Sequence, residues 1–288
     1  MTQKTEKGLS KLIISMCIFG TIGILRKYLP LSSTLIALCR AAIGSLFLIC
    51  VVLLRKEKLI ISEIKKNLLW LFLSGTAIGF NWIFLFEAYN YTTVTTATLC
   101  YYMAPTMAVV ASHFLFREHL TIKKGICVLV AFLGMILVSG AADGGIPNPS
   151  ELKGILFGLA AAVLYGSVIL LNKKITVASP YTKTLFQLAI AGLVLLPYAL
   201  LTENLTAVSF SPSVIVLLAV AGVVHTGFAY TLYFGSIPQL KTQTVALLSY
   251  IDPVLAIILS ALILREPIGL SELIGSVLIL GAAYISEK

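Results

Sequence analysis

The chain has 288 residues, of which 59% are apolar and only 11% are charged, and its mean hydropathy is +1.00. Soluble globular proteins carry about a quarter of their residues as charged side chains. The composition therefore excludes a soluble globular domain and indicates an integral membrane protein.

Apolar runs of membrane-spanning length, roughly 17 to 25 residues each, follow one another along the chain and are separated by short polar or charged segments. They lie near residues 9–28, 33–54, 68–87, 93–116, 122–140, 152–171, 182–201, 213–236, 242–264 and 270–286. The pattern predicts an all-α integral membrane protein with ten transmembrane helices.

Basic residues predict the orientation, because Lys and Arg are retained on the cytoplasmic side during insertion. With the N-terminus inside, 16 Lys and Arg residues fall on cytoplasmic segments and 4 on outer segments. This asymmetry predicts a multi-pass plasma-membrane protein with both termini in the cytoplasm. It also accounts for the net charge of +9, so nucleic acid is not an expected partner.

The sequence contains an internal duplication. A shift of 148 residues aligns segment 96–118 with segment 244–266, with identity at 8 of 23 positions, including a proline and an Arg-Glu pair. We therefore predict one five-helix repeat at 1–143 and another at 150–288. Five is an odd number of spans, so the second repeat is inverted relative to the first. Inverted repeats of this kind are typical of alternating-access carriers.

Several motifs resemble those of a known family. They are YYMAP…FLFREHLT, FAYTLYF, SYIDPVLAIILSALILREPI and GSVLILGAAYI. With the duplication, they resemble the EamA-type ten-helix transporters of the drug/metabolite transporter superfamily over nearly the whole chain. The resemblance implies a ten-helix inverted-repeat fold with a central cavity and transport of small metabolites, often export of amino acids or related compounds. That family usually has Glu before the proline of the ninth span, where this chain has Asp252.

Two prolines at equivalent positions of the repeat, Pro105 and Pro253, interrupt the fourth and ninth apolar runs. Proline has no N–H group, so each one breaks a helix and leaves a carbonyl without its helical partner. In hydrocarbon such a carbonyl is tolerated only where it faces protein or a water-filled cavity. We expect the two broken helices to meet near the membrane midplane, where carriers bind their substrates.

Asp252 has no counterpart in the first half, which carries Ala104 at the equivalent position. A carboxylate at the centre of a bilayer costs about 2.5–3.5 kcal/mol on insertion scales. We interpret Asp252 as a contact to the substrate or to a coupling ion. The alternatives are a structural hydrogen bond to a neighbouring helix and an ion pair with Arg40.

Among the other ionisable residues in the apolar runs, three are candidates for function. Glu87 at the end of the third run and Arg40 in the second run are candidates for charge coupling. The alternatives are that Glu87 is hydrated, that the Arg40 side chain snorkels outward to the membrane surface, and that the two residues form an ion pair. The family resemblance favours a structural role for Arg40. His225 in the eighth run is a candidate proton carrier or substrate contact, and the alternative is a neutral His bonded to a neighbouring helix.

Polar and aromatic residues occupy the runs expected to line the cavity. The substrate-binding candidates among them are Asn81, Trp82, Tyr101, Tyr102, Tyr230, Tyr233 and Tyr250. Aromatic rings beside a carboxylate suit a cationic or zwitterionic amine through cation–π attraction. The alternative is ordinary packing of aromatic side chains in the core.

The sequence therefore predicts a secondary-active exporter or exchanger of small amine-bearing metabolites, with a midplane site containing Asp252. No nucleotide-binding loop, metalloprotease motif or serine-protease motif is present, so we expect neither an enzyme nor a cofactor or metal site. The expected partners are a small-molecule substrate, the lipid bilayer, and protons or a counter-substrate, with the chain acting as a monomer or homodimer. The alternative function is a lipid-linked flippase or a channel-like facilitator.

Overall fold

The computed structural model of the protein describes residues 3–116, 121–138, 148–205, 208–240 and 242–287. Every regular element within these ranges is helical. Arg117, Glu118, Lys241 and the outer loop around Gly145 lie outside the described residues.

The first half of the chain folds into eight helical segments. They are α1 Gln3–Gly20, α2 Ile22–Lys27, α3 Ser33–Leu54, α4 Ile61–Lys66, α5 Leu68–Tyr91, α6 Val94–Tyr101, α7 Ala104–Phe116 and α8 Ile122–Val138. Ser32 and Thr93 begin α3 and α6 as N-caps, because each side chain accepts a hydrogen bond from a backbone N–H three residues ahead.

The described residues of the second half form seven α-helices, two π-helical segments and a short 3-10 helix at Ile237–Gln239. The α-helices are α9 Pro149–Asn172, α10 Pro180–Thr202, α11 Pro212–Ala219, α12 Ala229–Ser236, α13 Thr242–Ser249, α14 Ile251–Leu259 and α15 Leu270–Glu287. A π-helix at Val220–Phe228 joins α11 to α12, and a second one at Ser260–Leu264 continues α14. Proline at the start of α9, α10 and α11 fits the first turn, where its missing N–H would have no helical partner.

Seven helical stretches in the described part of the chain are long and apolar enough to cross a membrane, and Ile251–Leu264 and Leu270–Ile285 are shorter apolar helices. The fold is thus that of a multi-pass membrane protein, while the count of ten spans stays a prediction. Predicted and observed bounds differ most at two places. The first run breaks at Thr21, and the third continues one turn beyond Glu87 to Tyr91, so Glu87 does not end its helix.

Large apolar side chains cover the outside of the helices. Leu54, Ile122 and Leu201 are each more than 80% exposed. In water such a surface would be unfavourable, but in a bilayer it contacts lipid tails. The polar side chains that the sequence places in the spans, Arg40 and His225 among them, are instead buried inside the bundle.

Helices from the two halves pack against one another in matched pairs. α5 packs on α9 and α12 packs on α1; α10 contacts α5 and the first π-helix contacts α3; α7 contacts α9 and α14 contacts α1. In each pair, moving both helices of one contact by 148 residues along the chain, forward or back, gives the helices of the other contact. The remaining large contacts, α3 with α10 and α8 with α15, join helices that the same shift interchanges.

The helix break in the second half is held closely by α1. A Cβ atom on Gly20 would lie 2.7 Å from the backbone oxygen of Asp252 and 3.1 Å from Cβ of Leu255. A backbone carbonyl cannot move away from an added methyl group as the end of a flexible side chain can. Glycine at position 20 therefore allows the close approach of α1 to the start of α14.

We expect Gly20→Ala to destabilise the protein by about 1–3 kcal/mol, since the added methyl group must push α1 away from the carbonyl of Asp252. Thermal unfolding in detergent measures the effect. Gly281→Ala is the matched control, because a Cβ there meets nothing within 4 Å and alanine favours a helix over glycine. A Gly20→Ala protein as stable as the Gly281→Ala protein would contradict the tight packing.

Candidate functional site

The two broken helices form the centre of the candidate site. α6 ends at Tyr101 and α7 begins at Ala104, while α13 ends at Ser249 and α14 begins at Ile251. Each proline lies in the first turn of the second segment, where a missing N–H group costs no helical hydrogen bond. The breaks thus occur at equivalent places in the two halves.

A hydrogen bond between the two halves joins the breaks. The hydroxyl of Tyr102, in the gap between α6 and α7, donates to Oδ2 of Asp252 in the first turn of α14 at 2.7 Å. Asp252 is partly buried, and among the described residues no Lys or Arg lies within 4.0 Å of its carboxylate. The ion pair with Arg40, one of the two alternatives for Asp252, is therefore absent, and the carboxyl group of Asp252 accepts a hydrogen bond from a phenol instead.

Aromatic rings surround this hydrogen bond. Tyr101 packs edge-on against Tyr102 at a centroid distance of 6.0 Å and lies 5.2 Å from the ring of Tyr165 on α9. Tyr89 on α5 shares a hydrogen bond with Thr98 on α6 at 3.4 Å. Helices α5, α6 and α9 thus each bring a tyrosine to this part of the bundle.

Arg40 lies deep inside the bundle. Its side chain is 5% exposed, Nε donates to Oγ1 of Thr226 at 3.1 Å, and Cζ lies 4.2 Å from the ring centroid of Trp82 and 5.3 Å from that of Phe86. The snorkelling interpretation is wrong, because the guanidinium turns into the protein. The pair with Glu87 is also absent.

His225 and Thr226 lie in the π-helix, and their side chains bond carbonyls five residues earlier. Nδ1 of His225 lies 3.2 Å from the carbonyl of Val220, and the hydroxyl of Thr226 donates to the carbonyl of Ala221 at 2.9 Å. Nε2 of His225 lies 2.8 Å from Oγ1 of Thr21, at the break between α1 and α2. A carbonyl only accepts, so a neutral His225 donates from Nδ1. Its Nε2 is then an acceptor that shares the single hydroxyl proton of Thr21 with the carbonyl of Ile18, which lies 2.7 Å from Oγ1.

The remaining sequence candidates lie in other contacts. Tyr230 and Tyr233 pack edge-on against Phe19 of α1 at 5.4 and 6.4 Å, and Tyr250 packs against Tyr284 of α15 at 6.0 Å. Asn81 donates to the carbonyl of Ala161 at 2.6 Å and so joins α5 to α9. Asn81 therefore has a packing role in this conformation.

Glu87 belongs to a polar group away from Asp252. Nδ2 of Asn90 donates to Oε2 of Glu87 at 3.3 Å, and Oδ1 of Asn90 accepts from Arg26 at 2.8 Å. Arg26 also donates to the carbonyl of Leu29 at 3.0 Å. Asn90 thus bridges an acidic and a basic side chain at the predicted outer end of the bundle.

A carboxylate of the second half closes the same predicted outer end. Arg265 has a left-handed backbone (φ 55°), and this turn directs Glu266 toward the first half. Oε2 of Glu266 accepts from the backbone N–H of Val94 at 2.8 Å and from the hydroxyl of Ser260, and Oε1 lies 3.7 Å from Nζ of Lys27. We call Glu266 with Val94, Ser260 and Lys27 the outer bridge.

Glu272 strengthens this attachment. Its Oε1 accepts from Oγ1 of Thr96 at 3.3 Å, and its Oε2 accepts from the backbone N–H of Gly269 at 2.9 Å. The N-terminus of α6 therefore faces two carboxylates of the second half. Negative charge is favourable there because unpaired N–H groups and the helix dipole make a helix N-terminus positive.

Polar contacts also join the halves at the predicted cytoplasmic end. Oε2 of Glu63 accepts from the backbone N–H of Ala178 at 3.1 Å, and Oδ1 of Asn67 accepts from the backbone N–H of Thr176 at 3.0 Å. Glu57 accepts from the hydroxyl of Ser179, the N-cap of α10. We call these the inner bridge. A surface cavity of about 320 Å³ lies beside them.

Sequence reasoning missed several of these residues. Nothing in the residue pattern marks Tyr165, Thr226 or Thr21. In the structure, Tyr165 packs against Tyr101, Thr226 accepts from Arg40, and Thr21 contacts His225. Glu266 had a visible signal, because the repeat pairs it with Glu118. Its contact with Val94 could not be predicted, since it joins residues 172 positions apart.

The profile of the EamA-like transporter family matches residues 6–140 and again residues 152–287. The chain belongs to the EamA-like transporter family. The resemblance predicted from the motifs is thus confirmed, and this EamA-like protein is a transporter rather than an enzyme.

Known relatives agree with the family. The chain is 30% identical to the uncharacterized transporter YxxF of Bacillus subtilis over 96% of this chain and 88% of the relative. It is 28% identical to the uncharacterized transporter YojE of the same organism, over 93% of this chain and 89% of the relative. A crystal structure of a protein 19% identical in sequence superposes with a TM-score of 0.65 and covers 99% of this chain, which shows a shared fold.

In this EamA-like transporter we expect Tyr102→Phe to cost about 1.5–3 kcal/mol of stability, because a charged acceptor loses its donor. The loss should shrink when Asp252 is already asparagine, since the two residues interact directly. Thermal unfolding of both single variants and the double variant measures this coupling. Strictly additive losses would contradict a direct Tyr102–Asp252 interaction.

Proposed function

We propose that this protein is a secondary-active exporter or exchanger of small amine-bearing metabolites, with Asp252 in its binding site. The observation that carries the proposal is the hydrogen bond between Tyr102 and Asp252. It joins the broken helix of one half to the broken helix of the other, and transporters of several folds bind substrate between discontinuous helices. Tyr101, which packs against Tyr102, adds aromatic surface next to this hydrogen bond, and aromatic rings attract cationic amines.

The proposed architecture is a pair of inverted repeats, residues 1–143 and 150–288. Two observations support it. The family profile matches the chain twice, at 6–140 and 152–287, and the interhelical contacts form pairs related by a shift of 148 residues. The distribution of basic residues supports a plasma-membrane orientation with both termini in the cytoplasm.

Alternating access follows from this architecture if the two ends open in turn. The outer bridge holds α6 to the loop before α15, and the inner bridge holds the segment after α3 to the segment before α10. Breaking one bridge while the other persists would expose Asp252 to one side of the membrane. Protons compete with an amine for the Asp252 carboxylate, so a proton on one side can drive substrate release there.

We expect Asp252→Asn to lower substrate counterflow in proteoliposomes by about 10- to 100-fold, as the loss of one charged hydrogen bond would. The remaining transport should also lose its dependence on pH below neutrality, because asparagine does not titrate. The measurement is uptake of a labelled metabolite at several pH values.

Glu151→Gln is the control for this experiment, because Glu151 is an exposed carboxylate at the start of α9 and should transport normally. Unchanged transport and pH dependence in a well-folded Asp252→Asn protein would remove Asp252 from the mechanism. Ion conductance far above the rate of a carrier would favour a channel-like facilitator, and movement of labelled lipid alone would favour a flippase.

The outer bridge has its own test. Glu266→Ala removes every contact of the bridge, whereas Glu266→Gln keeps an acceptor for Val94 and loses the charge that faces Lys27. We expect a cysteine placed at Thr98, which is buried one turn inside α6, to react faster with an impermeant maleimide from outside. The increase should be about tenfold for Glu266→Ala, equivalent to about 1.4 kcal/mol, and smaller for Glu266→Gln.

Glu203→Gln is the matched control, because Glu203 ends α10 at the same predicted end of the bundle and belongs to neither bridge. It should leave the labelling rate unchanged. Equal labelling of the Glu266→Ala and Glu203→Gln proteins would contradict a role for Glu266 in closing the outer end.

A further inference from the structure

Lysine side chains concentrate on the segment between α3 and α5, at the predicted cytoplasmic end. Four of them are exposed: Lys56, Lys58, Lys65 and Lys66. Among the described residues, none of these four amines lies within 4.0 Å of a carboxylate. The acidic side chains of the segment are used elsewhere, because Glu57 and Glu63 accept hydrogen bonds in the inner bridge. The segment therefore presents an uncompensated positive surface.

The same segment exposes apolar side chains outside the membrane-spanning stretches, which end at Leu54 and resume at Leu68. Leu59, Ile60 and Ile61 are 49%, 44% and 66% exposed. Three consecutive exposed aliphatic side chains are unfavourable in water. Beside lysines they are typical of a segment that lies in the interface of a membrane. We call these three residues and the four lysines the lysine surface.

Two faces of α4 direct the lysine surface away from the bundle. Ile64 is buried in an apolar cluster, and Glu63 on the same side holds the backbone of Ala178. Ile61, Lys65 and Lys66 lie on the exposed side.

The helix that follows α4 sets the height of these lysines in the membrane. Lys65 and Lys66 come directly before the first turn of α5, where Leu68 and Leu69 are 54% and 62% exposed to the surroundings of the bundle. Those leucines contact lipid tails in a bilayer. A lysine stem reaches from there to the phosphates of the headgroups.

The equivalent segment of the second half, at the predicted outer end, provides an internal comparison. At the positions of the four lysines it has Asn204, Thr206, Ser213 and Val214. It still exposes Leu205 and Phe210. Exposed apolar side chains thus occur in both copies, whereas the lysines occur only at the predicted cytoplasmic end. The cytoplasmic leaflet is the one that carries negative surface charge.

We propose that the lysine surface binds the phosphate headgroups of anionic phospholipids, with Leu59, Ile60 and Ile61 inserted at the membrane surface. The placement at the cytoplasmic leaflet rests on the proposed orientation. The binding itself depends on neither orientation nor transport, so it is tested in liposomes that carry the anionic lipid in both leaflets. A phosphatidylcholine headgroup is less suitable, because its own cation repels the lysines.

Trp70 gives a direct readout. It is one of two tryptophans in the chain, and it lies in the first turn of α5, half-buried, beside the lysine surface. Trp82 is 5% exposed and so is shielded from lipid. The liposomes contain phosphatidylglycerol and phosphatidylcholine in equal amounts, and either one or the other carries bromine on its acyl chains. Bromine quenches tryptophan fluorescence on contact, so the two measurements give the preference for the anionic lipid near Trp70.

We expect phosphatidylglycerol to be preferred at least about fivefold, the effect of one lysine near an anionic surface. Replacing all four lysines with glutamine should abolish the preference, and Lys65→Gln with Lys66→Gln should lower it. Lys65→Arg with Lys66→Arg should keep it, since the charge remains. High salt should weaken the preference in the wild-type protein, because exposed charges are screened.

Lys123→Gln with Lys124→Gln is the matched control. These adjacent lysines also lie at the predicted cytoplasmic end, but on α8, which packs chiefly on α15, and the preference near Trp70 should stay unchanged. Equal quenching by the two lipids in the wild-type protein would overturn the inference. A preference that persists without the four lysines, that ignores salt, or that falls as far in the control variant would overturn it as well. The wild-type and salt measurements need no substitution, so they decide the question even if a variant fails to fold.

Discussion

Backbone and side-chain polar groups inside a bilayer must find their partners within the protein, because the lipid tails offer none. This constraint explains why the breaks before Pro105 and Pro253 lie together and not apart. Tyr102 lies at one break and donates a hydrogen bond to Asp252, which lies at the other. Gly20 then allows α1 to cover the backbone at the second break. At the centre of the bundle, a polar side chain of one half thus finds its hydrogen-bond partner in the other half.

The same constraint separates what the halves share from what distinguishes them. The prolines and the matched helix contacts recur in both halves and build the framework, and the Arg-Glu pair recurs in the sequence. Arg40 and Asp252 each occur in one half only. The two halves therefore match in their helix contacts and differ in their interior charges, one cation in the first half and one carboxylate in the second.

Much of the fold could be predicted from the sequence, because apolar run lengths and polar interruptions mark where helices end. The run at 33–54 coincides with α3, and both proline breaks lie where the repeat places them. The break at Thr21 and the π-helix at Val220–Phe228 were not predicted, since neither involves a proline. A tertiary contact between Thr21 and His225 joins the two. The partner of Arg40 could not be predicted either, because a charge pattern along the chain does not tell which way a long side chain turns.

Reciprocal opening of the two ends is the central claim, and distances across both ends test it most directly. Spin labels at Tyr28 and Leu270 report on the outer end, and labels at Lys174 and Ile122 report on the inner end. All four positions are exposed. Double electron–electron resonance in liposomes, with and without Glu266→Ala, measures both distances. If the two ends open in turn, Glu266→Ala lengthens the outer distance while the inner distance stays short. Lengthening of both distances together, or of the inner one alone, would contradict reciprocal opening.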